Sequence, residues 1–261
     1  MQKAFFRNAV AMIVSIILLA RSEDGFYIKK SSWPSLFMRS LCGTTGLICN
    51  FYAIDRLGLA DSNILNKLSP FFAIIMSVLL LKEKANKVEW LSVVVAFIGA
   101  VFVIKPSFQI TSVYGLIGLM GGLGAGVAYT FVRKLGKQGE RGPVIVMFFS
   151  TFSCLVTLPF FILNYVPMSV DQWICLLLAG AAATGGQLSI TKAYTKAPAR
   201  EISVFDYSQI VFAAILGLVF FDEIPDSYSI IGYVIIIGIA VFKWWYNCRK
   251  IQSEERENRN I

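Results

Sequence analysis

The sequence contains no histidine, and charged residues make up only 15% of its 261 positions, against about 25% in an ordinary soluble domain. Without imidazole, the commonest metal ligand and the usual proton shuttle near neutral pH are missing. Five cysteines are present (Cys42, Cys49, Cys154, Cys175 and Cys248), but none has C-x-x-C spacing and four sit in apolar runs. Neither disulfides nor a metal site is therefore expected. A glycine-rich run at 118–126 (GLMGGLGAG) invites a phosphate-loop reading. It breaks the G-x-G-x-x-G spacing at Val127, and no strand precedes it. Gly118, Gly122 and Gly126 instead recur every fourth residue, as in closely packed helices. No nucleophile–base pair stands out, so neither an enzyme nor a cofactor is expected.

Long apolar runs are what the sequence does have. Hydrophobic residues make up 56% of it, and the mean hydropathy is +0.66. Nine segments approach the ~20 residues of a spanning helix: 4–20, 33–54, 60–81, 88–104, 113–132, 143–163, 172–193, 202–221 and 228–246. Lys3 and Arg7 before the apolar 9–20 resemble a signal peptide, but the run has a counterpart deeper in the chain. The net charge of +8 does not point to nucleic acid, because the basic residues fall between apolar runs. Numbered by the segments they join, the loops after segments one, three, five and seven, with the C-terminal tail, hold 18 basic residues; the other side holds four. That asymmetry predicts a cytoplasmic C-terminus. The polar tail at 247–261 is expected to be disordered.

An internal repeat underlies the segments. A shift of 140 residues pairs 43–102 with 183–242 without a gap, giving 11 identities in 60. They include Thr44/Thr184, Gly46/Gly186, Ala53/Ala193, Phe72/Phe212, Ala73/Ala213 and Glu83/Glu223. Segments two, three and four map onto seven, eight and nine, and segment one maps onto six. Segments three and eight run in opposite directions, so the topology is inverted. Segment five has no partner. The expected fold is an all-α polytopic membrane protein of two inverted repeats, with nine transmembrane helices of an expected ten. Residues 1–132 hold the incomplete first repeat plus the first helix of the second (113–132), 133–246 hold the remainder, and 247–261 form the tail.

The stretches 59–83 and 199–223 organise the chain, because they carry Lys67 and Asp206 inside apolar spans. An ionisable residue there is expensive and marks a functional site by default. Pro70 donates no backbone hydrogen bond, which frees the Asn66 carbonyl beside Lys67. Asn63, Asn66, Pro70, Ala73 and Ser77 share one helical face; their shifted partners begin Ser203 and Asp206. Thr184, Gln187 and Thr191 line up likewise, as do Thr45, Cys49 and Tyr52. The Thr and Ser positions fit either cavity lining or helix–helix hydrogen bonding, whereas Gln187 fits a cavity. Arg39, near a helix end, reads as a snorkelling cation, and Glu83 and Glu223 as structural. Counting ~1.5 Å per residue from each face puts Lys67 and Asp206 roughly 10–14 Å apart in a ~30 Å core, without direct contact.

The runs AFFRN (4–8), NFYAIDRLGLAD (50–61) and LSPFFAIIMSVLLLKEK (68–84), the small-residue turn at 181–186 and Asp222-Glu223 together resemble the EamA-like branch of the drug/metabolite transporter superfamily. The resemblance covers residues 4 to about 245, and the first family helix is the one without a counterpart here. It implies a secondary transporter that moves a small polar or amphipathic metabolite across the plasma membrane by alternating access. Its cavity would be bounded by segments two, three, seven and eight. The expected substrate-binding residues are Asn66, Lys67, Asp206, Tyr207, Gln187, Tyr52, Asn63 and Ser203, with Asp206 as proton carrier and Pro70 as helix break. One basic and one acidic residue in the spans favour an amino-acid-like cargo. The alternatives are a non-transporting fragment or scaffold, or an exporter of cationic drugs. The expected partners are a small-molecule substrate and the lipid bilayer; a homodimer is allowed and nucleic acid is not.

Overall fold

The computed structural model describes residues 2–105, 113–222 and 224–259. Every regular element among them is helical. The chain forms α1 (Gln2–Ala20), α2 (Trp33–Leu57), α3 (Leu59–Asn66), α4 (Ser69–Leu81), α5 (Lys87–Ile104), α6 (Val113–Lys137), α7 (Gly142–Leu163), α8 (Val170–Lys196), α9 (Ala199–Ile202), α10 (Ser208–Phe221) and α11 (Ser227–Arg259). Local chemistry sets many of the ends. Asn86 with Glu89 and Ser169 with Gln172 form reciprocal capping boxes that start α5 and α8. Gly58, at φ 84°, turns the chain between α2 and α3, a conformation that costs glycine little.

Seven stretches of the described residues are long and apolar enough to cross a membrane. Helix α2 has the length, at 25 residues, but contains more polar positions. The apolar 205–220 stretch is shorter. The eighth segment is not the continuous helix the sequence reading took it to be, and the third is interrupted close to the helix break expected at Pro70. The third breaks in mid-span at Lys67-Leu68 and the eighth across Ser203–Tyr207. The tail also differs from its expected disorder, because α11 continues to Arg259. Residues 247–259 contain no Gly or Pro to stop a helix, and Glu, Arg, Lys and Gln propagate one well.

The repeat is visible in the backbone. Helices α4 and α10 end at positions 140 apart, on Lys82 and Asp222, which both take left-handed conformations at φ 56° and 54°. Glu223 lies outside the described residues. The 140-residue shift carries α5 onto α11 and α1 onto α7, and each pair packs against its own counterpart. Gly99 and Gly232 allow the first approach: a Cβ on Gly232 would stand 2.6 Å from the Gly99 carbonyl oxygen. The second is pinned by Asn8, whose Nδ2 donates to Ser153 Oγ at 2.8 Å.

Helix α6 is wedged between α2 and the broken α3–α4. Its glycines serve both faces. A Cβ at Gly118, Gly122 or Gly126 would meet Leu65 Cδ1, the Leu65 carbonyl or Phe72 Cβ, each at 2.6 Å. On the other face Gly121 and Gly124 abut Gly46 and Asn50 of α2. The repeat partner of Gly46 behaves differently: Gly186, and Gly185 beside it, have nothing within 4 Å.

At one end of the bundle, ion pairs tie the loops to the helix ends. Glu83 binds Arg133 Nε at 3.0 Å and Lys137 Nζ at 2.6 Å, and accepts from Ser77 Oγ at 2.7 Å. Arg133 also donates to the Thr195 carbonyl, and Arg200 to that of Lys84. Glu89, almost fully buried, pairs with Arg200 at 3.5 Å and Lys243 at 3.7 Å. Glu83 is thus structural, as its position implied, but through partners on α6 rather than the next helix start.

Candidate functional site

The two helix breaks meet. Pro70 sits in the first turn of α4, where its missing N–H costs nothing, and the break falls just before it. The freed carbonyl that gains a partner is that of Lys67: Tyr207 Oη donates to it at 2.8 Å. Lys67 and Tyr207 are 140 residues apart, so this bond joins equivalent positions of the two repeats. Lys67 Nζ donates to the Asp206 backbone carbonyl at 3.2 Å and to Gln209 Oε1 at 2.8 Å. Lys67 and Asp206 are therefore in direct contact rather than roughly 10–14 Å apart. That depth count assumed straight helices running in from each face. Breaking both helices brings their ends to one level, where each exposes backbone groups the other can use.

Asp206 is held from the far side as well. Tyr194 Oη donates to its Oδ2 at 2.9 Å, and Tyr194 stacks on Tyr129 with ring centroids 4.7 Å apart. Ser203 Oγ donates to the Ala199 carbonyl at 2.6 Å. Tyr194, Tyr207 and Ser203 are fully buried. Asn63 and Asn66 occupy the last turn of α3, with Asn63 O accepting from Lys67 N at 2.9 Å.

Two expected site residues stand apart from this cluster. Gln187 Nε2 donates along its own helix to Thr191 Oγ1 at 3.4 Å. Tyr52 faces Tyr114 at 6.1 Å, with Arg56 5.8 Å from both rings, an aromatic arrangement at the end of α2. The sequence reading missed Tyr129, Tyr194 and Gln209, whose residue types are unremarked within apolar helices. It also misplaced Arg39. Snorkelling would carry its guanidinium to the nearby interface, yet Arg39 is 3% exposed and stacks over Phe149 at 4.0 Å. The side chain folds towards Gly43, one turn deeper along α2, where a Cβ would stand 2.2 Å from Nη1. A charge inside an apolar run was the available signal.

Long apolar helices in an inverted repeat, with two interrupted helices meeting at a polar cluster inside the bundle, define a polytopic membrane permease. The chain belongs to the EamA-like transporter family, whose model matches residues 1–105 and 114–243. It is 33% identical over 239 residues to a pseudopaline exporter of Pseudomonas aeruginosa, covering 91% of this chain and 83% of that one. It is 26% identical over 270 residues to human solute carrier family 35 member G1, covering 94% and 72%. A riboflavin transporter of Brucella anthropi is 26% identical over 247 residues, covering 92% and 86%. A solved crystal structure superposes with a TM-score of 0.82 at 16% identity, over 96% of this chain and 88% of that one, and so shares the fold.

Proposed function

We propose that the protein is a secondary transporter that moves a small polar or amphipathic metabolite across the plasma membrane by rocking one repeat against the other. The observation that carries this reading is the Lys67–Asp206–Tyr207 contact between the two broken helices. Its bonds cross from one repeat to the other, so an alternation between repeats has to make and break them, and a solute that competes for the same groups couples to that motion. Asn63, Asn66 and Ser203 belong to the elements that meet at this junction and are proposed to bind the solute there, with Gln187 of α8 and Tyr52 of α2 proposed as contacts outside the junction itself. Asp206 is the carboxylate placed to carry a proton. The relatives named as exporter and transporters support the class of activity. The basic loops support a cytoplasmic C-terminus.

Counterflow in proteoliposomes tests the reading. Vesicles containing the full chain and preloaded with an unlabelled metabolite pool should accumulate labelled members of it, and Lys67→Ala should lower that uptake about tenfold, or about 1.4 kcal/mol. Properly folded protein that gives no flux with any metabolite tried would favour a scaffold role instead.

A further inference from the structure

A neutral donor is enough to tie the two broken helices together. Tyr207 does so with a hydroxyl that donates to the Lys67 carbonyl at 2.8 Å. Lys67, its equivalent 140 residues earlier, returns the contact with an ammonium instead. That ammonium has found only neutral oxygens, the Asp206 backbone carbonyl at 3.2 Å and Gln209 Oε1 at 2.8 Å. The neighbouring Asp206 carboxylate is turned to Tyr194, whose hydroxyl donates to its Oδ2 at 2.9 Å. Asp61 lies six residues back along α3, on the order of 9 Å by helix rise. Among the described residues no carboxylate forms an ion pair with Lys67.

A cation inside a span is costly, and it gains more from an ionised acceptor than from a neutral one. Charge-assisted hydrogen bonds to a carboxylate or phosphate are roughly twice as strong as neutral ones. The two present acceptors differ in how easily they can be replaced. The Asp206 carbonyl belongs to the backbone of the helix break, fixed by the Tyr194 and Tyr207 bonds of the same short turn. The Gln209 amide ends a long side chain in the first turn of α10, and the residue is exposed. It can swing away without moving the backbone. The carbonyl then keeps Lys67 aimed while the amide gives way.

We propose that Gln209 is a placeholder on Lys67, displaced when a carboxylate or phosphate group of the cargo pairs with the ammonium. This makes Gln209 a specificity residue, because a solute without an oxyanion gains no advantage over the amide it must displace. The proposal rests on the transport reading for the claim that the bound molecule is carried, and narrows that molecule to solutes bearing an oxyanion.

Binding to the purified full chain tests it apart from flux, read as a saturable rise in thermal midpoint at constant ionic strength. The probes are succinate, L-glutamate and glucose 6-phosphate, with glucose and putrescine as neutral and cationic comparisons. At least one oxyanion should bind, and at least tenfold more tightly than either comparison. Succinate and glucose 6-phosphate separate a carboxylate site from a phosphate site. Gln209→Glu sets a built-in carboxylate on Lys67 at the same side-chain length. It should weaken the bound oxyanion at least tenfold while the ligand-free midpoint stays level or rises. Gln209→Ala removes the competitor and should bind the oxyanion as tightly as the parent or several-fold more so. An amide that merely props Lys67 in place gives the opposite sign, so weaker binding by Gln209→Ala overturns the proposal. So does parental affinity in Gln209→Glu, or the absence of a midpoint shift with all three oxyanions. Lys67→Met should lose the shift, and parental affinity there also overturns it. Oxyanion binding of this pattern without flux would remove the transport reading and leave the placeholder. Flux of a solute without an oxyanion, with no oxyanion bound, would do the reverse.

Discussion

An ammonium inside a membrane span has to find oxygen acceptors, and Lys67 finds both of them on the opposite repeat, at the Asp206 carbonyl and Gln209 Oε1. The same contact leaves the Asp206 side chain to Tyr194, whose hydroxyl holds one carboxylate oxygen at 2.9 Å. A carboxylate so placed, in a chain without histidine, is the group proposed here to carry a proton. Asp206→Asn keeps the shape and the acceptor for Tyr194 but removes the titration. The expected outcome is loss of any pH-gradient-driven accumulation, with solute exchange between the two faces retained. Uptake measured with and without an imposed pH gradient checks this. Accumulation equal to the parent at every pH would assign coupling to the solute itself.

At the scale of the element, the repeat makes a comparison that the chain supplies by itself. Gly46 of α2 lies against α6, and an added Cβ would stand 3.0 Å from the Ala125 nitrogen and the Gly121 oxygen. Backbone cannot yield as a side-chain tip can, so Gly46→Leu has to push the helices apart. Overpacking of this kind costs about 1–3 kcal/mol. Gly186→Leu, at the equivalent position of α8, enters open space and should leave stability within about 0.5 kcal/mol of the parent. Unfolding midpoints of the two variants in detergent check the difference. Equal destabilisation would mean that the α8 face is covered in the membrane. The broken helices teach a related lesson. Pro70 correctly signalled an interruption, but it marks the start of α4 and not the end of α3. The carbonyl that matters is Lys67's, because Phe71 N turns to the Leu68 carbonyl and leaves it to Tyr207.

For the molecule as a whole, one end is fastened by charge and the rest by small residues in close contact. Burial pushes the Glu83 carboxyl up, but its hydrogen bonds from Lys137, Ser77 and Arg133 outweigh this and hold it below the ordinary range. A carboxylate whose folded pKa lies below its unfolded value of about 4.3 stabilises the fold above that value. The contribution is lost as pH falls through the folded pKa. Glu83→Gln should therefore lower the melting temperature near neutrality by roughly 3–6 °C, as expected for about 1.5 kcal/mol in a chain of this size. The gap to the parent should hold from about pH 7 to 5 and close below about pH 4. A gap independent of pH would show that Glu83 acts by packing. The proposed orientation is checked by a C-terminal fusion: a fluorescent reporter should mature and a phosphatase should stay inactive, as the 18-to-4 excess of basic residues predicts. An active phosphatase would invert the molecule in its membrane.

By itself the sequence determined the membrane class, the helical content, the repeat and its inversion, and it singled out Lys67 and Asp206 as ionisable residues inside apolar spans. Those features follow from local composition and from periodicity, which survive in a one-dimensional string. Apolar runs have to be helices in lipid because their backbone groups find no other partners there. What the sequence could not convey was distance between segments. Whether Lys67 and Asp206 meet depends on where both helices break and how they cross. Whether Arg39 reaches the interface or turns inward depends on Phe149 and on the space above Gly43. Tyr129 and Tyr194 look like ordinary core aromatics until α6 and α8 bring their rings together. Those choices are made by contacts between residues far apart in the chain, and only the tertiary structure contains them.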